Sequence, residues 1–308
     1  MSRSLTDYIA PRLTAILLIT FIFVLSSIQA HSTTVIAIVG DQGISIAADS
    51  KMVILGAYRD GERETVKSFI IQDRLVIASL GYSANKWADP AGGVVIDYEF
   101  EAWLRGIQAS LPANVSFDDF VGIVKEAVRK MIPKWQAMVT AGKMPHKHYG
   151  DIFESLTQYV IAGYQDGVAK LASIEFYVDW DKNAVLGPYQ VALAPPRVAV
   201  AGRTYTYFFG VTEVAFEAPN PQSYAYKQAM ALSPKAFGDL MSGKDFPLNE
   251  SNALARTLVE IEEQTNPHMV GGKVRMVEIA PNGKAREVIE EPPKTKPEKQ
   301  KEAEKPSA

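Results

Sequence analysis

Four residues in the early part of the sequence have types that could take part in nucleophilic catalysis. They are Thr33, Asp49, Lys67 and Gly81. A threonine hydroxyl is a poor nucleophile unless a base lies beside it. If Thr33 began the mature chain, its own α-amine, with an ordinary pKa of about 7.7–8.0, could accept the hydroxyl proton. Taken singly, Thr33 is also typical of a strand, Asp49 of a turn, and Lys67 of an exposed strand edge.

The N-terminal segment has the pattern of a secretory signal. Arg3 and Arg12 precede an apolar run over residues 13–25, which is too short for a membrane-spanning helix but typical of a signal h-region. We therefore expect a signal peptide over residues 1–32 and an exported protein, periplasmic or secreted. The alternative is an uncleaved anchor, and we expect membrane contact only in that case.

Two cleavage points fit the small-residue rule for signal peptidase. Cleavage after Ser32, with Ala30 two residues earlier, would make Thr33 the mature N-terminus. Cleavage after Ala30 would leave His31 and Ser32 on the mature chain. Only the first point would release the amine that the chemistry needs.

The remaining sequence alternates predicted strand pairs with predicted helices. Hairpins are expected within residues 34–48, 68–79, 158–177 and 273–289, with weaker strands at 189–193 and 198–201. Helices are expected over 83–111, from 116 onward, and within 233–264. This order predicts an α+β fold, a four-layer αββα sandwich of two antiparallel sheets between helical layers.

Composition limits the domain organisation and the chemistry. The chain has 308 residues, a net charge of −3 and no cysteine, which excludes disulfides and cysteine nucleophiles. The charge balance argues against nucleic-acid binding. We expect one domain over residues 33–290 and a disordered tail over residues 291–308, which contain four prolines and no large apolar side chain.

The histidines give a weak indication of a metal site. His146 and His148, with Asp151 nearby, have a spacing that could bind a metal. Histidines in a polar loop flanked by proline and glycine are more often solvated. We therefore expect neither a metal nor a cofactor.

Several short motifs occur in order along the chain. They are Thr-Thr-Val at 33–35, Ala-Ala-Asp-Ser-Lys at 47–51, Lys67, Asp-Arg at 73–74, Gly81 and Ala84, Ala-Gly-Tyr at 162–164 with Asp-Gly at 166–167, and Gly-Gly at 271–272. The series resembles proteasome β subunits, which are N-terminal nucleophile (Ntn) hydrolases. The resemblance extends over about residues 33–289. It implies an Ntn hydrolase fold and a threonine hydrolase that cleaves a peptide or related amide bond.

The resemblance also implies a role for each residue. Thr33 would be the nucleophile, Lys67 the ammonium beside it, Asp49 the partner of Lys67, and Gly81 the oxyanion donor through its N–H group. We expect Lys67 Nζ to lie within hydrogen-bond reach of Asp49 and close to the Thr33 hydroxyl. The side chains expected to line a small apolar recess for uncharged substrate groups are Met52, Phe69, Ser79 and Ser83.

Two segments depart from the family pattern. The family's Gly-Ser-Gly segment corresponds to Phe-Gly-Val-Thr at 209–212, and its Asp-x-x-Ser segment corresponds to Pro-His-Met-Val at 267–270. This leaves a second hypothesis, a non-catalytic structural subunit of a proteasome-like assembly, and a third, an amidase acting on a small amide. The expected partners are a peptide or small amide substrate and further copies of the chain in a homo-oligomer.

Overall fold

The computed structural model describes most of the chain after residue 32. The described residues are 33–54, 61–81, 84–88, 94–142, 153–192, 203–210, 213–267 and 269–288. The expected signal peptide, the expected tail, the expected strand at 198–201 and the loop with His146, His148 and Asp151 lie outside these ranges. Within them, no helix combines the length and the apolar character needed to span a membrane.

The first sheet is built around the predicted N-terminal hairpin. Its strands, in spatial order, are β12 (Tyr205–Gly210), β1 (Thr34–Gly40), β2 (Gly43–Ala48), β13 (Arg275–Ile279) and β14 (Ala285–Glu287). All neighbouring strands pair antiparallel. The β-branched and apolar residues of β1 favour a buried central strand, and six of its seven residues are buried.

The second sheet contains the central and the second hairpins. Its strands, in spatial order, are β11 (Ala184–Ala192), β10 (Val168–Asp179), β9 (Phe153–Gln165), β6 (Leu75–Gly81) and β5 (Ser68–Ile71). These strands are also antiparallel. Asp166 and Gly167 join β9 to β10 with φ angles of 53° and 73°, the positive values that a tight two-residue hairpin turn requires.

Helices cover the outer face of each sheet. The second sheet is covered by α1 (Phe100–Gln108), α2 (Phe117–Arg129) and α3 (Ile132–Thr140). The first sheet is covered by α4 (Glu213–Glu217), α5 (Tyr224–Leu232), α6 (Pro234–Met241) and α7 (Leu248–Thr265). Pro133 lies in the first turn of α3, where a proline costs no helix hydrogen bond.

Strand alternation separates the core into layers. In β6, Ile77 packs toward the helices, whereas Val76 and Leu80 pack between the sheets. In β1, Ile36 packs toward the helices of the first sheet and Val35 packs between the sheets. Adjacent strand residues point to opposite faces, so each sheet is apolar on both sides. The predicted four-layer α+β sandwich is confirmed.

The helix predicted over residues 83–111 is wrong in its first half. The structure has two paired strands there, β7 (Ala84–Ala88) and β8 (Val94–Glu99), and α1 begins only at Phe100. In the sequence, Pro90 and Gly92 come between these two strands, and both are residue types that favour a turn. A second small pair, β3 (Lys51–Ile54) with β4 (Gly61–Glu64), was not predicted.

Candidate active site

Three of the candidate residues lie just outside strand ends and meet in the interior. Thr33 precedes β1, Asp49 follows β2, and Lys67 precedes β5. Their exposed fractions are 1%, 2% and 2%. Because β1 and β2 belong to one sheet and β5 to the other, the site joins the two sheets.

Asp49 is held by four hydrogen bonds. Its Oδ1 accepts from the Thr34 N–H at 2.9 Å and from Lys67 Nζ at 3.0 Å. Its Oδ2 accepts from the Gly271 N–H at 3.2 Å. Its own N–H donates to the Thr34 carbonyl oxygen at 3.2 Å, which continues the β1–β2 ladder. The carboxylate is therefore fixed in position and orientation beside Thr33.

Lys67 connects this carboxylate to the candidate nucleophile. Its Nζ donates to Thr33 Oγ1 at 2.7 Å as well as to Asp49. Its backbone is fixed because the Ser79 N–H donates to the Lys67 carbonyl oxygen at 2.9 Å. The side chains of Lys67 and Asp49 are each 1% exposed, so their interaction takes place away from bulk water.

Burial changes the acid–base properties of both groups. Burial lowers the pKa of Lys67, Asp49 opposes this effect, and the nearby Lys51 ammonium adds to it. Burial raises the pKa of Asp49, against the opposing effects of Lys67 and of the Thr34 and Gly271 N–H groups. A buried site disfavours charge, and each partner restores part of the charged form of the other. The arrangement can therefore stabilise an alkoxide on Thr33 and exchange a proton with it.

Gly81 lies at the end of β6 with a φ of +81°, a conformation that favours glycine. A Cβ there would lie 2.6 Å from the Leu156 carbonyl oxygen, so no other residue fits without movement. Its role as oxyanion donor remains a prediction.

Gly210 is a site residue whose sequence signal was only its place in the Phe-Gly-Val-Thr segment at 209–212. It ends β12 opposite Thr34 and has a φ of +86°. A Cβ there would lie 1.9 Å from the Thr33 carbonyl oxygen and 2.8 Å from Leu80 Cδ2. This close approach lets β12 lie directly against the residue that carries the candidate nucleophile.

We expect Gly210→Ala to lower the free energy of unfolding by about 2–4 kcal/mol, because it adds a backbone clash to an unfavourable φ. Gly283→Ala is the matched control: its φ is +79°, but the nearest atom to a new Cβ is 3.9 Å away. This control should lose only about 1 kcal/mol. Denaturant unfolding measures both variants, and equal losses would show that the approach to Thr33 is not tight.

The residues predicted to line a recess are only partly described. Phe69 is half-buried, packs edge-on against Phe100 with ring centroids 5.5 Å apart, and lies against the α1–α3 core. Ser79 is fully buried, and its Oγ has no hydrogen-bond partner among the described residues. Met52 lies in β3, and Ser83 is outside the described residues. Their role in substrate binding remains a prediction.

Lys51 and Gly271 complete the surroundings of Asp49, and their contribution was not predicted. Lys51 is 8% exposed, and its backbone N–H donates to the Gly271 carbonyl oxygen at 2.8 Å. Both residues belong to sequence motifs already noted, so a signal was present, but their contact depends on which strands are neighbours. In the part of the chain that the structure describes, no group of three or more His, Cys, Asp or Glu side chains could hold a metal.

Comparisons with known proteins give structural neighbours and no family. No protein-family model matches the chain, and no curated protein matches it. One similar solved structure is an Anbu (Gly-1) mutant from Hyphomicrobium sp. strain MC1, with 13% identity, a TM-score of 0.43, and coverage of 83% of this chain and 86% of that one. Another is Anbu (ancestral β-subunit) from Yersinia bercovieri, with 12% identity, a TM-score of 0.47, and coverage of 84% and 89%.

The assignment to the proteasome β-subunit family is therefore wrong. The similar solved structures carry the name Anbu, one of them described as an ancestral β-subunit, and they are only 12–13% identical to this chain. The motifs that suggested the family are short, and several meet local structural needs. Gly81 has a positive φ, and Asp166 with Gly167 forms a two-residue turn. Such residues can recur wherever the same backbone geometry is needed.

Proposed function

We propose that this chain is an exported hydrolase that cleaves an amide bond with Thr33 as its nucleophile. The observation that carries the proposal is the 2.7 Å contact between Lys67 Nζ and Thr33 Oγ1. Lys67 is also paired with Asp49, and both side chains are 1% exposed. Burying two charged groups beside a hydroxyl is costly, and the cost is typical of sites that shift pKa values for chemistry.

The proposed reaction has two steps. In the first, the α-amine of a released Thr33 accepts the hydroxyl proton, and Oγ1 attacks the carbonyl carbon of the amide. The C–N bond then breaks, the amine leaves with that proton, and an ester remains on Thr33. In the second step, water attacks the ester, which releases the carboxylic acid and restores the hydroxyl.

The neighbouring residues supply electrostatic support in this scheme. The Lys67 ammonium stabilises the alkoxide that develops on Oγ1, and Asp49 keeps Lys67 in place. The N–H of Gly81 is the proposed donor to the oxyanion of the substrate. The proposed lining of a recess for an uncharged side chain of a peptide or small amide is formed by Met52, Phe69, Ser79 and Ser83.

An activated ester tests the nucleophile directly. Protein that begins at Thr33 should react with 4-nitrophenyl acetate to give a burst of 4-nitrophenolate and an acetyl group on Thr33, located by peptide mass spectrometry. An ester on Oγ1 is removed by hydroxylamine, whereas an amide on the α-amine is not. Because an ester on Oγ1 can transfer to the neighbouring α-amine near neutral pH, the reaction is quenched in acid before digestion; an acetyl group found only on residues other than Thr33 would contradict the proposal.

A non-catalytic subunit is the competing function. The burial of Thr33, which is 1% exposed, favours it, because a substrate has to reach a catalytic nucleophile. A chain whose mature form retains residues before Thr33 and gives no burst would support this second function.

A further inference from the structure

Lys51, the first residue of β3, contacts the segment before β13 at two points. Its backbone N–H donates to the Gly271 carbonyl oxygen at 2.8 Å, and its Nζ donates to the Pro267 carbonyl oxygen at 2.5 Å. Its Cδ lies 3.5 Å from the position that a Cβ on Gly271 would occupy. A mostly buried ammonium needs a good acceptor, so this side chain has a defined position rather than a solvated one.

We propose that Lys51 is a positioning residue of the Thr33 site, which holds Gly271 against Asp49 through its contacts with Pro267 and Gly271. The inference rests on the proposed function, but it concerns a residue to which that function gives no role. Gly271 connects the two parts: its carbonyl oxygen accepts from Lys51, and its N–H donates to Asp49 Oδ2 at 3.2 Å. A shift of Gly271 would therefore move Asp49.

The movement would continue to the candidate nucleophile. Asp49 Oδ1 binds Lys67 Nζ, and Lys67 Nζ binds Thr33 Oγ1. Reaction rates depend steeply on such placement, and a misplacement of about 1 Å can cost on the order of a hundredfold. Lys51 can thus affect the rate without touching Thr33.

The other end of the segment is attached to α7 independently of Lys51. Asn266 Nδ2 donates to Glu262 Oε1 at 2.6 Å, and Glu262 Oε2 accepts from the Val214 N–H at 2.9 Å. Glu262 is fully buried. Because this attachment remains when Lys51 is changed, we expect the segment to loosen at Gly271 while the fold is retained.

Lys51 also acts on Lys67 through its charge. Burial is the main cause of the lowered pKa of Lys67; Asp49 opposes it, and Lys51 adds to it. Glu263 of α7 places its Oε1 3.0 Å from the position of a Cβ on Gly271, the same position that Lys51 Cδ approaches to 3.5 Å. A second ammonium disfavours protonation of the first. Loss of the Lys51 charge alone should therefore raise the pKa of Lys67, whereas displacement of Asp49, which has the larger effect on that pKa, should lower it.

The test compares Lys51→Met, which keeps the apolar stem, with Lys51→Arg, which keeps charge and donors. The readout is the burst with 4-nitrophenyl acetate as a function of pH. In the native protein it should rise as the Thr33 amine loses its proton and fall as Lys67 loses its own. Lys51→Met should move the falling limb to lower pH, because the effect of Asp49 on the pKa of Lys67 exceeds that of Lys51, and should lower the maximum about tenfold. Lys51→Arg and the exposed control Lys130→Met should leave the profile nearly unchanged.

A purely structural role for Lys51 would lower thermal stability and leave the pH profile in place, and that result would overturn the inference. A native protein without a burst would instead contradict the proposed function. In that case, NMR titration of protein labelled at lysine Cε still tests whether Lys51 affects Lys67. The Lys67 signal is assigned by its loss in Lys67→Met. An unchanged Lys67 titration in Lys51→Met would then overturn the inference.

Discussion

Thr33→Ala should abolish amide cleavage and the 4-nitrophenolate burst, with a loss of at least about a thousandfold in rate. The reason is that Thr33 Oγ1 is the hydroxyl that accepts from Lys67 Nζ, at 2.7 Å. Thr33→Ser keeps the hydroxyl and the α-amine and should retain measurable activity. The measurement is the burst amplitude at a fixed protein concentration, followed by peptide mass spectrometry of the product.

The fold of Thr33→Ala should survive. Lys67 Nζ would lose one acceptor but would keep Asp49 Oδ1 at 3.0 Å, so we expect a cost of about 1–2 kcal/mol in unfolding free energy. Thr206→Ala is the matched control, since Thr206 lies in β12 of the same sheet and pairs with Ile38 rather than with a site residue. It should keep full activity. Activity of Thr33→Ala equal to that of this control would refute the proposed nucleophile.

Much of the architecture followed from local sequence. The run of β-branched residues in β1 and the Asp166–Gly167 turn specify hairpins through short-range preferences, so both were predictable. Layering followed from the order of hairpins and helices. The region from 84 to 99 was predicted wrongly because its structure depends on the pairing of two strands joined by residues 89–93. Over such a short length, an apolar helix and a hairpin have similar apolar sequence patterns.

The site was predictable only in part, for a physical reason. Thr33, Asp49 and Lys67 occur early in the chain, in two hairpins whose ends meet, and their types suggested a shared role. The contribution of Gly271 depends on a hydrogen bond to Asp49 that spans 222 residues in sequence. It exists because β13 lies beside β2, with Arg275 opposite Ala48. No local pattern reports that adjacency, and the contact of Lys51 with Pro267 depends on it too.

Gly210 is a second site residue whose role could not be predicted from local sequence. A glycine at the end of an aromatic strand was visible in the sequence, but its function was not. Only the pairing of β12 with β1 places it against the Thr33 carbonyl oxygen. The sequence therefore identified the chemical groups, whereas the supporting backbone required knowledge of strand order.

Ser32→Trp should block both maturation and activity. The proposed mechanism requires a free amine on Thr33, because an acylated nitrogen is an amide and is not a base near neutral pH. Signal peptidase requires small residues at the cleavage point and two residues before it, which Ser32 and Ala30 provide. We propose that this cleavage itself releases Thr33, so that the enzyme is inactive until it is exported. Mass spectrometry of the exported protein measures the mature N-terminus.

His31→Trp is the matched control for this prediction. It places the same bulky residue between Ala30 and Ser32, at the position that the small-residue rule leaves open. It should be processed at Thr33 and remain active, and Thr33→Ala should be processed but inactive, since signal peptidase does not use the threonine hydroxyl. Processing by signal peptidase and catalysis by Thr33 depend on different atoms, so a variant can be processed and still be inactive. A mature chain that begins stably at His31 would leave Thr33 acylated, would contradict the release mechanism, and would favour the non-catalytic subunit.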